Sequence, residues 1–341
     1  MITSTRHQKK NYLKAVPGGA NLMQHNLRTT NDLIGLLPCL CLLFFVTTGS
    51  VNAGSIKTWN APQLLQIGMV ADSGDHTRKL QLPSDVAVLD NRVYVVDGSN
   101  HRIMVYDTAG RFLFDFGSKG SGPGQFYYPV GIDAADNDRI YIADSGNHRI
   151  QIFDRNGKYL SGFAVKSANK KGRPIDILRH SDNGRLFISS SDHRLLIYSG
   201  DGRLLDTWGH NGTSRGEFRY PATLSELNDG RIAVVDVLNS RVQVFNIDGS
   251  LSVVVGQWGV LPGQLFRPKG IAIDSRGNFY ISDSYMGVVQ KYKDDGSFSA
   301  VLGNRDAPRK LLTPTGMSID HDRLYVVEMK NNRVSVYQLA D

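Results

Sequence analysis

The chain has 341 residues, a formal net charge of +7 and two cysteines. Residues 1–53 hold five Lys or Arg against one Asp and both cysteines, leaving 34 basic against 31 acidic residues, or +3, on the other 288. So small a balance gives no strong field for nucleic acid or anionic membranes, and with no cysteine the remainder has no disulfide to staple it.

Leu33 to Val46, LIGLLPCLCLLFFV, is an apolar run of 14 residues broken by Pro38, short of the ~20 needed to span a bilayer. It reads as the core of a secretory signal. Val51-Asn52-Ala53 supplies a small-residue cleavage site, and Met23 is a more ordinary start than Met1 for such a signal. The alternative is a retained anchor. A lipid anchor is disfavoured, because Pro38 and Leu40 precede Cys39 and Cys41 where a lipoprotein signal wants a small residue. The sequence thus predicts a signal over 1–53 and a mature domain over 54–341 with no stable membrane span, periplasmic or secreted.

From residue 80 onward the text repeats. Pro83, Pro129, Pro174, Pro221, Pro268 and Pro314 are spaced by 46, 45, 47, 47 and 46 residues. A second anchor, Arg102, Arg149, Arg194, Arg241, Val288 and Arg333, gives 47, 45, 47, 47 and 45. A period of this size means supersecondary units that must stack to bury their faces. Within a unit the apolar residues alternate with period two, as in RIYIAD (139–144) and RIQIFD (149–154), the signature of strands. Asp107 to Gly110, Asp154 to Gly157, Ser199 to Gly202, Asn246 to Gly249 and Lys293 to Gly296 read as hairpin turns ending in glycine. The expectation is all-β: six propeller blades of four antiparallel strands. The sixth unit has text for only three strands, so an N-terminal strand, Gln63 to Gly68, is expected to complete it and close the ring. A closed ring is expected to be a monomer.

DGSNHRI (97–103), DSGNHRI (144–150) and GSGPGQF (120–126) resemble the NHL-repeat family of six-bladed β-propellers, over roughly residues 60–341. That resemblance implies the fold. It leaves function open, because the family includes scaffolds, RNA binders, a zinc-dependent peptidyl-hydroxyglycine lyase domain and relatives of lactonases. The lyase relatives hold zinc on histidines directly following the inner-strand proline. Here those places are Ser84, Val130, Ile175, Ala222, Lys269 and Thr315, so no catalytic zinc is expected.

Other candidates are weighed one by one. Asp97–Arg102, Asp144–Arg149, Asp236–Arg241 and Glu328–Arg333 recur once per blade and read as bidentate structural pairs. His101, His148 and His193 occupy one loop in successive blades and would spread around an arc, so they read as turn-fillers and not as a zinc site. GSKGSGPGQF lacks the GK[ST] ending of a phosphate loop and leads into a strand. Phe126, Phe218 and Phe266 read as wedges between sheets. No catalytic nucleophile, base and orienter can be assembled.

Departures from the repeat mark the expected binding face, at the channel mouth: Lys170, Lys171 and Arg173 in a basic connection, Trp208 and His210 on the next, and Tyr285 and Met286 replacing the NHR text. Asp85, Asp176, Thr223 and Lys269 are candidates for lining the channel. The leading expectation is a scaffold for a protein or glycan partner, without cofactor. The alternative is a lactonase-like hydrolase or lyase with one divalent metal in the channel.

Overall fold

The computed structural model describes residues 65–70, 79–135, 138–167, 170–304 and 307–339, and the signal and its cleavage site lie outside them. The chain divides by compactness into Met1–Ile56 and Lys57–Asp341, and the propeller occupies the second unit.

Six four-stranded antiparallel sheets form the blades. Blade 1 runs Val86–Leu89, Arg92–Asp97, Arg102–Asp107 and Phe112–Phe116. Blade 2 runs Gly131–Ala135, Arg139–Asp144, Arg149–Asp154 and Tyr159–Ala164. Blades 3, 4 and 5 open at Pro174–Arg179, Pro221–Glu226 and Pro268–Ile273 and end at Leu204–Trp208, Leu251–Val255 and Phe298–Val301. Blade 6 takes Pro314–Asp320, Arg323–Glu328 and Arg333–Gln338 from the C-terminal end and Leu65–Val70 as its outer strand, paired Leu65↔Gln338 to Val70↔Val334.

Period-two strands bury both faces here because each blade packs on two neighbours. The apolar residues of the described chain fall into clusters, one at each blade junction: Val96, Ile103, Phe126 and Ile142 join blades 1 and 2, and Val95, Met104, Tyr325 and Val336 join blades 6 and 1. The burial of a large aliphatic or aromatic side chain contributes roughly 1.5–3 kcal/mol, so the junctions carry most of the stability of a domain without disulfides. The hairpin glycines Gly110, Gly157, Gly202, Gly249 and Gly296 all take φ between 79° and 87°, the conformation that closes these turns.

Where the sequence suggests a plain loop between second and third strands, blades 1, 2, 4 and 6 carry a single 3-10 turn: Gly98–Asn100, Ser145–Asn147, Val237–Asn239 and Met329–Asn331. Each ends in a left-handed residue, His101, His148, Ser240 or Asn332. No α-helix occurs among the described residues.

Candidate functional site

In the consensus blades the acid at the end of the second strand is the hub of the connection that enters the blade. Asp144 is fully buried; its Oδ1 accepts the Tyr127 N–H at 2.8 Å, and its Oδ2 accepts Arg149 Nε at 2.8 Å and Asn147 Nδ2 at 2.8 Å. The Nη groups of Arg149 then reach the carbonyls of Ser121, Gly122 and Gln125 at 2.7–2.8 Å. Asp236 and Arg241 repeat this on Ser214 and Glu217. These two arginines therefore do not make the expected bidentate fork. Only Nε meets the carboxylate, because a loop with uncapped carbonyls needs the other donors more. Asp97–Arg102 and Glu328–Arg333 also pair, both with Nε at 2.9 Å.

The histidines staple one blade to the connection of the next. His101 Nδ1 accepts the Tyr128 N–H at 3.0 Å, His193 Nδ1 accepts the Tyr220 N–H at 3.0 Å, and His148 Nδ1 lies 3.1 Å from the Gly172 carbonyl. Ser240 and Asn332 do the same for Phe266 and Leu82. With that nitrogen engaged and the three histidines on successive blades, they do not fit a shared metal.

Blade 5 departs from this plan in one coordinated way. Val288 stands where the arginine should be and Met286 where the asparagine should be, so Asp283 Oδ1 accepts the backbone N–H groups of Tyr285 (3.1 Å) and Met286 (2.9 Å) instead. The turn is recast as Ser284-Tyr285-Met286-Gly287, with Gly287 at φ 67° and its carbonyl accepting the Leu311 N–H. The connection has changed with it. Aligned on its Gly-Gln pair, GVLPGQL (259–265) matches GSGPGQF (120–126), so Trp258, Val260 and Leu261 replace Lys119, Ser121 and Gly122. Every one of these is open to solvent: Trp258 is 72% exposed, Tyr285 69%, Leu261 64% and Val260 59%.

Where Arg149 in blade 2 threads its guanidinium into the loop, blade 5 has a cavity of about 400 Å³ lined by Val260, Leu261, Pro262, Met286, Val288 and Lys310, among others. Phe266 joins the patch. Its ring lies 4.4 Å from Tyr285 and 6.3 Å from Trp258, with the Arg267 guanidinium 5.9 Å away. Phe266 is thus not the expected wedge; fully buried Leu265 is, in the register of Phe126 and Phe218.

The remaining candidates are dispersed. Trp208 closes the outer strand of blade 3 instead of lying on the connection, and its half-buried ring packs between Phe187 (5.5 Å) and Phe245 (5.8 Å). His210 Nε2 pairs with Glu217 at 3.1 Å. Lys170 and Lys171 form a small hairpin with Lys166–Ser167, and Arg173 Nε reaches Ser145 Oγ at 3.1 Å, all at the junction of blades 2 and 3. In blade 3 Ser190 stands in the place of the acid, paired with Pro174 and Arg194 as Asp236 is with Pro221 and Arg241, and Asp192 pairs with Arg194 at 3.4 Å instead.

The inner strands place Asp85, Asp176, Thr223 and Lys269 on consecutive and alternate blades, each tied to a neighbour. Asp85 accepts from Val86 N (2.9 Å) and, on blade 2, from Ile132 N (3.1 Å). Asp176 Oδ2 accepts from Leu224 N of blade 4 at 2.8 Å. Thr223 Oγ1 donates to the Lys269 carbonyl at 2.6 Å. Burial pushes Asp85 up to about 7, and burial with the neighbouring Asp85 lifts Asp176 above the usual carboxylate range. Burial pulls the Lys269 ammonium down; it sits 5.6 Å from the Tyr220 ring. Elsewhere a larger polar cleft of about 790 Å³ lies among the strand turns at Asn91, Asp274, Asp320 and Arg323.

This architecture makes the chain a six-bladed β-propeller. A family model described as a 6-bladed beta-propeller matches residues 75–169. Protein brain tumor of Drosophila melanogaster is 43% identical over 56 residues, a match covering 16% of this chain and 5% of that protein. Among solved structures, a gluconolactonase from Xanthomonas campestris superposes with a TM-score of 0.59 at 14% identity, covering 82% of this chain and 98% of that one. A streptogramin B lyase gives 0.57 at 14%, covering 84% and 90%, and the virginiamycin B lyase of Staphylococcus aureus gives 0.58 at 11%, covering 82% and 99%. At such identities the likeness is one of fold.

Proposed function

We propose that the protein is an exported NHL-type propeller that captures a protein or glycan partner on the blade 5 side of its channel-mouth face. The observation that carries this is the coordinated change in blade 5: an arginine, an asparagine and a polar loop are exchanged together for Val288, Met286, Trp258, Val260 and Leu261, leaving a cavity under an exposed aromatic cluster. Exposed aromatics and methionine around a pocket, rimmed by Lys310 and Arg267, have the composition of a recognition surface. The arginine and asparagine of the turn and the polar residues of the facing loop change together, while Asp283 and Gln290 keep their contacts to that loop.

Export rests on the short apolar core over Leu33 to Val46 and the Val51-Asn52-Ala53 text. Intact mass of the exported protein is expected to begin at Gly54; a chain retaining Leu33 to Val46 would mean an anchor. Among the described residues no helix is long and apolar enough to cross a membrane.

A second reading, a lactonase-like hydrolase or lyase, draws on the fold of the solved neighbours and on Asp85 and Asp176. Against it, three of the four oxygens of those carboxyls are held by backbone N–H groups and both side chains are buried. The test that separates the two is turnover of a lactone panel set beside partner capture. Capture lost in Tyr285→Ala with Met286→Ala supports the binding reading, and lactone turnover lost in Asp176→Asn supports the enzyme.

A further inference from the structure

We infer that the partner of the blade 5 surface is an acidic protein segment carrying one large apolar side chain, the apolar group entering the cavity and the carboxylates meeting Arg267 and Lys269 at the channel mouth. The inference rests on the reading of blade 5 as the recognition surface and adds to it the chemistry of what is recognised.

The charge at this mouth is one-sided. The residue before each inner-strand proline is Leu82, Tyr128, Arg173, Tyr220, Arg267 or Thr313, and the residue after it is charged only at Lys269. Arg267 thus holds the ring position that Tyr128 has in blade 2, and Lys269 that of Val130. Arg267 is exposed, while Lys269 is half-buried on the strand Pro268–Ile273 with its Nζ 5.6 Å from the Tyr220 ring.

Neither cation has an acid to answer it. Among the described residues no ion pair involves Arg173, Arg267, Lys269 or Lys310. The carboxylate of blade 5, Asp283, is spent on backbone: it accepts the N–H groups of Phe266, Arg267, Tyr285 and Met286. Burial, and then the neighbouring Arg267, pull the Lys269 ammonium below its usual range, and no carboxylate offsets them. Two cations held side by side, one of them partly stripped of water, are unfavourable until an anion joins them.

The cations continue the apolar surface instead of lying apart from it. Tyr285 lines the cavity, its ring lies 4.4 Å from Phe266, and Phe266 lies 5.9 Å from the Arg267 guanidinium. Lys269 follows two residues further in toward the channel. A bound segment is therefore read as apolar at the cavity and acidic toward the channel.

The cavity selects a protein over a glycan. Among its lining side chains only Tyr285, Gln290 and Lys310 are polar, and Gln290 is spent on the Gly263 N–H and the Gln264 carbonyl. Lys310 Nζ donates to the Met286 carbonyl at 2.9 Å. The walls of Val260, Leu261, Pro262, Val288 and Val301 offer a sugar hydroxyl no partner, and burying one unpaired is costly. An aliphatic or aromatic side chain loses nothing there.

The test pans the exported protein with a phage-displayed library of random dodecapeptides; enriched sequences are synthesised and titrated by fluorescence anisotropy. They are expected to carry Asp or Glu beside a large apolar residue. Their binding is expected to weaken at least about tenfold in Arg267→Gln with Lys269→Met, and as much in Tyr285→Ala with Met286→Ala, with thermal midpoints of wild type. Arg267→Gln alone, on the surface, is expected to lose about threefold, and raising sodium chloride from about 50 to about 300 mM to weaken wild type several-fold. Exchanging the acids of a peptide for their amides should cost wild type the same loss as the cation pair, and the two losses should not add. Lys158→Gln, on the turn side, is expected to bind as wild type. Loss in the Tyr285 and Met286 pair alone would overturn this proposal and leave the blade 5 reading standing, whereas loss in the Arg267 and Lys269 pair alone would support the acidic requirement and overturn the blade 5 reading. Enrichment without acids would also overturn the proposal, as would no enrichment at all. So would binding of polygalacturonate or an oligouridylate RNA that needs Arg267 and Lys269 while no peptide does.

Discussion

Blades 2 and 5 share a plan and use the same junction for opposite ends. In blade 2 a buried carboxylate, an asparagine and an arginine together satisfy the loop that enters the blade, and the mouth there is closed by hydrogen bonds. Blade 5 keeps the carboxylate, and also keeps Gln290 as loop anchor in the manner of Gln151 (Nε2 to Gln264 O at 2.6 Å and to Gln125 O at 2.7 Å). It discards the arginine and asparagine. What the loop loses in polar contacts appears as a cavity and an exposed apolar rim. A repeat that keeps its blade without the arginine and asparagine in one copy leaves inter-blade burial and the retained carboxylate, Asp283, to hold the connection there.

The strongest way to break that statement is to remove burial and pairing at the ring's seam. Deleting Leu65–Val70 strips the outer strand from blade 6 and is expected to lower the thermal midpoint by at least about 10 °C, whereas shortening the Lys166 to Lys171 hairpin should cost little. An unchanged midpoint in the strand deletion would show that the seam contributes nothing.

A smaller effect is expected from the hub itself. Asp144→Ala leaves Arg149 and the Tyr127 N–H without their acceptor and is expected to destabilise by about 3 kcal/mol; Asp283→Ala, in the blade without the arginine, should cost about half as much, read by urea midpoints. Equal losses would mean that the two hubs are not differently built.

Gly287→Ala comes next. A Cβ there would meet the Leu311 carbonyl at 2.7 Å at φ 67°, so about 1–2 kcal/mol is expected, together with weaker partner binding, since the turn carries Tyr285 and Met286. The mildest change in stability is expected from Val288→Arg, within ~1 kcal/mol, because the guanidinium can occupy the cavity and bond the loop carbonyls as Arg149 does. It should convert blade 5 toward blade 2 and close the pocket. Retained partner binding in a folded Val288→Arg protein would mean that the pocket is not the anchor site.

Much of this was readable before the structure. The blade count and most strand boundaries follow from two spacings that agree, and the acid and arginine series were visible because repetition averages out local noise. The departures Tyr285, Met286 and Val288 were also visible as breaks in that series. The partners of the break were not. Trp258, Val260 and Leu261 do not stand out when the loop is matched on phenylalanine, which puts Phe266 in the wedge; the Gly-Gln pair puts Leu265 there. Trp208 looked like a loop residue because its strand ends one residue before a glycine, and only packing between Phe187 and Phe245 shows it as core. In the channel, Asp85 and Asp176 were legible as positions. That Gly131 lies against Asp176 and Gly316 against Asp85 is a property of inner strands 45 and 231 residues apart in sequence and adjacent in space, which no local pattern records.

The central claim is that the recast blade 5 is the recognition surface, and one measurement addresses it directly. A partner captured by the wild-type protein from an extract of the native host, identified and purified, is titrated against three proteins: wild type, Tyr285→Ala with Met286→Ala, and Tyr127→Ala with Tyr128→Ala. The two tyrosines of the control pair are also exposed, at 41% and 48%, on the connection into blade 2. The blade 5 double variant is expected to bind at least about tenfold more weakly than wild type with an unchanged thermal midpoint, and the blade 2 pair to bind as wild type. Equal weakening by both pairs, or weakening by the blade 2 pair alone, would contradict the account.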